Sequence, residues 1–170
     1  VKPLSGPGSR GAKTATVGEL IALDAGTRAG LLFQELCDPP EVTVDSFFDA
    51  LTGVQLAVCR ERLETKAGVC TKARVFFDSE LLAIARRIAK ALGQRGTICF
   101  QAMRARGQWV VTDLNMRPGA GTALSCAAGH DVLSAAFACR WGLPYEKYFT
   151  GDTSRDDVFV TRQYTEFLMT

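Results

Sequence analysis

Two pairs of alternating segments constrain the fold of this chain more than any other feature. Glu41-Val42-Thr43-Val44-Asp45-Ser46-Phe47-Phe48 runs into a turn at Leu51-Thr52-Gly53, and a second strand-like run covers 54–64. Residues 97–104 and 108–114 repeat the arrangement across a tight Arg106-Gly107 turn. Strands joined this closely return antiparallel, because a parallel return needs a long crossover. Each pair therefore reads as a hairpin. A further turn at Ala67-Gly68 leads to a strand through Val75, and the tail from Asp157 to Tyr164 reads as one more.

From Ser79 the period changes to that of a helix. Leu81, Ile84, Ala85, Ile88, Ala89 and Leu92 recur at three and four residues, with Ser79 expected as N-cap and Gly93 just past the C-terminus. Shorter helices are expected over 122–128 and 132–140, the second apolar nearly all round and hence expected to be buried. Antiparallel hairpins with helices laid on one side define an α+β domain.

Composition excludes several classes. At 170 residues and 47% hydrophobic the chain can bury a core as one domain or two small lobes. A net charge of +2 gives no basic field for nucleic acid. No apolar run approaches the roughly 20 residues of a membrane span, and no signal-peptide pattern opens the chain. Six cysteines, none in a C-x-x-C pair, read as buried reduced thiols rather than as disulfides or a zinc site. A cytoplasmic setting is the expectation. His130 is the only histidine; between touching a ligand and capping the helix near Asp131, the cap is preferred.

The texture changes near residue 38. Before it come a glycine loop, an alternating stretch Ala12-Lys13-Thr14-Ala15-Thr16-Val17 that reads as a strand, a short helix over about 18–25, and Leu31-Leu32-Phe33-Gln34-Glu35-Leu36. Asp38-Pro39-Pro40 then breaks the chain, as expected of a hinge between lobes 1–37 and 38–170. Val1-Lys2-Pro3 reads as the end of a strand, so the chain is expected to be a fragment lacking its N-terminal part.

The chemistry concentrates in Val111-Thr112-Asp113-Leu114-Asn115-Met116-Arg117-Pro118-Gly119. Alternate positions of a strand share one face. Asp113 and Asn115 offer oxygen ligands to a hard cation, and the fork of Arg117 suits phosphate. The outline is a metal–nucleotide site. Gly6, Gly8 and Gly11 have G-x-G-x-x-G spacing, but a strand-like stretch follows where a dinucleotide-binding loop needs a helix. A P-loop fails too, since Ala12 separates Gly11 from Lys13. The loop reads as a flap able to close on phosphates through its N–H groups, with Lys2 as a nearby point charge, or else as a polar hairpin turn. Arg60, Arg62, Lys66, Lys72 and Arg74 on the middle strands read as a solvated face, phosphate or substrate contact being the alternative.

In their collinear order, Val1-Lys2-Pro3, Ser5-Gly6-Pro7-Gly8-Ser9-Arg10-Gly11, Gln34-Glu35, Glu41-Val42-Thr43-Val44-Asp45, residues 96–101 and Asp113-Leu114-Asn115-Met116-Arg117 resemble the ATP-grasp superfamily. Within it the chain looks most like the ATP-binding domain of the carbamoyl-phosphate synthetase large subunit. The resemblance implies two lobes clamping ATP between antiparallel sheets. It makes Lys2 a phosphate ligand and catalytic residue, and Ser5, Gly6, Gly8, Ser9, Arg10 and Gly11 the flap. Gln34, Glu35, Leu36 and Cys37 would line the adenine, and Glu41 would hold the ribose. Gln101, Asp113 and Asn115 would bind Mg²⁺ or Mn²⁺, with Asn115 and Arg117 also catalytic.

The same resemblance implies an ATP-dependent carboxylate–amine ligase that forms an acyl phosphate. Its partners would be ATP, a small carboxylate and a nucleophilic acceptor, with no nucleic acid, no membrane and room for a homo-oligomer. The alternative is a nucleotide-binding module that does not turn over. The family usually has Glu where Asp113 stands and often Glu at Gln101. Synthetase relatives carry a phosphate-facing His near Cys70. A protein kinase is disfavoured, since neither H-R-D nor D-F-G occurs.

Overall fold

In the computed structural model, which describes residues 1–5, 11–66, 69–149 and 157–163, the alternating segments pair as their pattern requires. The chain divides into two units, Val1–Cys37 and Asp38–Thr170.

The first unit is built on β1 (Lys2–Pro3), antiparallel to β2 (Leu31–Leu32). Between them lie α1 (Val17–Ile21) and α2 (Ala25–Ala29). The stretch 12–16 is not the expected strand. Thr16 caps α1 in a reciprocal capping box with Glu19, and this local competition for the backbone outweighs the alternation. The single helix expected over 18–25 is two short ones, because the Asp24 side chain accepts from the N–H of Thr27 and starts α2.

The second unit is a six-stranded antiparallel sheet. Its strands are β3 (Asp38–Asp49), β4 (Gln55–Lys66), β5 (Val69–Phe76), β6 (Arg95–Ala105), β7 (Gln108–Asn115) and β8 (Val158–Thr161), in the spatial order β7-β6-β3-β4-β5-β8. The β6–β7 turn has Arg106 at φ 51 and Gly107 at φ 78, the two positive values a two-residue hairpin needs to match strand twist. Pro39 and Pro40 lie inside β3 and do not break it, contrary to expectation. They fall where the register with β6 shifts between Asp38 and Val42, the kind of irregular strand end at which a missing N–H costs no ladder bond. Tyr164 of the expected tail strand lies outside the described residues.

β3 is buried at every position of 42–49, so both of its faces need cover. On one face α3 (Ser79–Ala91) sets Leu81 and Ala85 against Val42, Val44, Cys59 and Phe100. Its N-cap is Asp78, one residue before the expected Ser79; the carboxylate accepts from the Leu81 N–H at 3.0 Å. Gly93, at φ 58, stands just beyond its end as expected. On the opposite face α5 (Val132–Arg140) sets Val132, Ala135, Ala138 and Cys139 over Phe47 and Leu56. Helices therefore cover both faces, not one. The apolar composition of α5 does not bury it either: Leu133 is 38% and Phe137 67% exposed, since a helix in an outer layer can turn only one side to the sheet. Among the described residues, no helix is long and apolar enough to cross a membrane.

Candidate functional site

The face carrying α5 is only partly covered. Moving along the strands away from Phe47, cover passes to α4 (Thr122–Ala127), whose Thr122 and Ser125 touch Asp45. One step further lies a row of register partners crossing all six strands: Asp113, Gln101, Thr43, Arg60, Val75 and Val158. Glu41 and Arg62, the next pair along β3 and β4, form a half-buried ion pair.

Asp113 reaches this face through a bulge. Asp113 pairs with Gln101, but Val111 pairs with Ala102, so Thr112 is the extra residue. Val111 thus faces the α3 side while Asp113 faces the other. Asp113 and Asn115 share their face, and Asn115 Nδ2 donates to Asp113 Oδ2 at 2.8 Å. Arg117 lies past the end of β7, exposed, its Nη1 donating to the carbonyl of Pro118 at 3.0 Å. The structure so brings Gln101, Asp113 and Asn115 together on two neighbouring strands, with Arg117 at their exit.

Behind them lies a buried polar cluster that sequence reasoning missed. Asp45 is 1% exposed and accepts from Arg60 Nε at 3.3 Å, from Thr122 Oγ at 2.7 Å and from Ser125 Oγ at 2.7 Å. Arg60 is 2% exposed, which overturns its reading as part of a solvated face. The one available signal was an Asp in an inward-facing run of β3, since a buried carboxylate demands partners. Burial, with the Asp45 charge adding to it, pushes the thiol of neighbouring Cys99 up to about 12.

In the first unit, Lys2 is half-exposed on β1 and Ser5 is exposed. Gly11 has φ 78 and lies against the Pro3 ring. Gly6, Gly8, Ser9 and Arg10 lie outside the described residues. Gln34, Glu35 and Leu36 are exposed, and the Cys37 thiol donates to the Glu35 carbonyl at 3.6 Å. His130 is not the cap of α5. Asp131 is, accepting from the Ser134 N–H at 2.9 Å, while His130 is 2% exposed with its ring edge-on to Phe77. Burial lowers its pKa.

Among the described residues, no group of three or more His, Cys, Asp or Glu side chains could hold a metal. A cation on this face would rely on the Asp113 carboxylate, the amide oxygens of Gln101 and Asn115, and oxygens from a ligand. This donor set is hard and sparse, and it fits Mg²⁺, which takes one or two protein groups plus phosphate oxygens and water.

The profile of a family described as ATP-grasp in the biosynthetic pathway with Ter operon matches residues 27–159. The chain belongs to the ATP-grasp family. Among solved structures, three that resemble this chain in fold are as follows. N5-carboxyaminoimidazole ribonucleotide synthetase from Thermus thermophilus matches with a TM-score of 0.58 and 20% identity over 89% of this chain and 44% of that one. Biotin carboxylase from Campylobacter jejuni, solved as its β-γ-ATP complex, matches with a TM-score of 0.52 and 18% identity over 65% of this chain and 27% of its own. The phosphoribosylaminoimidazole carboxylase ATPase subunit from Aquifex aeolicus gives 0.52 and 14% over 66% and 34%. The chain thus spans less than half the length of each. Comparison with curated protein sequences finds no match. The ATP-grasp resemblance and the α+β expectation both hold.

Proposed function

We propose that this ATP-grasp chain is the nucleotide-binding part of an ATP-dependent carboxylate–amine ligase of the carbamoyl-phosphate synthetase kind. The observation that carries the reading is the pairing of Asp113 with Gln101 across β6 and β7, with Asn115 hydrogen-bonded to Asp113 and Arg117 just beyond. In this reading Gln101, Asp113 and Asn115 hold Mg²⁺, or Mn²⁺, which would neutralise phosphate charge. Arg117 grips the terminal phosphate, and Lys2 serves as a phosphate ligand. Residues 34–37 line the adenine. Glu41 takes the ribose hydroxyls, for which it must share its carboxylate with Arg62.

A carboxylate oxygen of the substrate attacks the γ-phosphorus, the bond to the β–γ bridging oxygen breaks, and ADP leaves. The amine then attacks the acyl carbon, phosphate departs, and the amine's proton passes to solvent. Such a transfer needs alignment and charge neutralisation more than a side-chain nucleophile. The six cysteines are all free thiols, which fits a reducing compartment.

The test is Asp113→Ala in the full-length protein, with Mg-ATP binding followed by calorimetry. Affinity should fall about tenfold or more, since a charge-assisted contact is worth ~1.5–3 kcal/mol. Unchanged affinity would remove Asp113 from the site. The second reading, a nucleotide-binding module without turnover, is favoured by the shorter carboxylate at Asp113. Release of ADP that depends on an added carboxylic acid selects the ligase, and binding without such release selects the module.

A further inference from the structure

The buried cluster behind the row makes direct contact with the segment that carries Arg117. Thr122 Oγ donates to Asp45 at 2.7 Å and accepts from the N–H of Gly119 at 2.9 Å. One hydroxyl thus ties a carboxylate on the central strand β3 to the backbone two residues beyond Arg117. The segment is also clasped from below. A Cβ on Gly121 would stand 2.3 Å from Arg60 Nη1, and one on Gly119 would stand 2.9 Å from Cys99 Sγ. The backbone therefore lies directly on the Arg60 guanidinium and the Cys99 thiol. Cys99 is in turn the register partner of Asn115.

We propose that Asp45, Arg60 and Thr122 are positioning residues for phosphate recognition: the relay from Asp45 through Thr122 to the Gly119 N–H sets where the Arg117 guanidinium stands. The inference rests on the reading of Arg117 as the group that grips the terminal phosphate. Arg117 is exposed and donates to the carbonyl of its own neighbour Pro118. Its side chain is long and its place depends on the backbone that bears it. That backbone is short, glycine-rich and lacks any strand partner after Asn115. The relay supplies the missing constraint. The Asp45 carboxylate is held by three donors, so it is a fixed point. Thr122 carries that fixity to the loop, since its single proton is committed to Asp45 and its lone pair is left for Gly119. Cα positions of 117 and 119 are two peptide units apart, and a shift of the second moves the first. A misplacement of about 1 Å is enough to weaken a preorganised contact with phosphate.

The test is a binding measurement on the full-length protein, so it does not need turnover. Mg-ATP and Mg-ADP are titrated into wild type, Thr122→Val, Thr122→Ser, Arg117→Gln and the Thr122→Val/Arg117→Gln double variant. Valine keeps the volume and removes both hydrogen bonds; serine keeps them. The ATP-over-ADP preference should fall about tenfold in Thr122→Val and return in Thr122→Ser, with ADP affinity held within about twofold. The double variant should be no worse than Arg117→Gln alone, because the two changes act on one contact. A Thr122→Val protein with wild-type ATP-over-ADP preference overturns the relay and leaves the nucleotide site standing. Equal loss for ATP and ADP, or no recovery in Thr122→Ser, assigns Thr122 a purely structural role and overturns it too. A wild-type protein that binds neither nucleotide overturns the relay and the nucleotide-site reading together.

Discussion

Asp45→Asn isolates the buried ion pair with the smallest change of shape. Asp45 and Arg60 are 1% and 2% exposed, so water cannot substitute for either partner. The asparagine oxygen can replace one carboxylate oxygen, and the Thr122 hydroxyl at 2.7 Å from Oδ1 keeps an acceptor. The other oxygen becomes NH₂, which cannot accept from Arg60 Nε or from Ser125 Oγ, the two donors now on Oδ2. The guanidinium is left charged, buried and facing a donor. Breaking a buried pair from one side costs ~3–5 kcal/mol. The lost hydroxyl bond adds less than its full value, because the serine can rotate to accept instead. We expect a loss of about 4 kcal/mol, a large part of the ~5–15 kcal/mol that holds a domain together.

Urea unfolding followed by the fluorescence of Trp109 reads this directly. Trp109 packs against the core cluster beneath α3, with the Arg104 guanidinium 4.2 Å from its ring centroid. At a slope of ~2 kcal/mol/M the midpoint should drop by about 2 M. Adding Arg60→Met to Asp45→Asn removes the orphaned charge, and about half of the loss should return. A single-variant shift below about 0.5 M would refute the argument. So would a double variant whose loss equals the sum of the two single losses, for then the groups do not interact.

Two further outcomes follow from burial. His130 has its pKa lowered by burial, whereas an unfolded histidine titrates near ~6.5. Above that pH both states are neutral; as pH falls below it the unfolded chain binds the proton first, so stability declines until folded His130 is itself protonated. The urea midpoint of wild type should therefore decline from about pH 6.5 downward, and His130→Leu should remove that part of the slope; parallel pH profiles would contradict it. Thiol labelling of the native protein should strike half-exposed Cys37 first and spare Cys59 and Cys99, which are buried and both pushed up to about 12. Cys126, pushed up to about 11 mainly by burial, should be slow, and rapid native labelling of Cys59 or Cys99 would count against the packing described.

How much of this was legible follows from where each determinant lies. The hairpins were readable because alternation and turn chemistry are local: Arg106 and Gly107 specify a two-residue turn whatever else surrounds them. The placing of Asp113 with Asn115 was readable for the same reason, as both lie on the final residues of one strand. Thr112 was not. A bulge is a property of a pair, and the extra residue exists only relative to Gln101 and Ala102 on β6. Arg60 was misread because alternation states which face a residue takes but not what lies over that face. The cover is the glycine-rich segment after β7 together with α4, distant in sequence and close in space. The same logic inverts for α5, where apolar residues on every side suggested burial and only tertiary placement decided that Leu133 and Phe137 face outward. The residues of the proposed site therefore announce themselves through type and spacing. Those proposed to hold it in place, Asp45, Arg60 and Thr122, are separated along the chain and become a unit only through the pairing of β3 with β4 and the packing of α4 on β3.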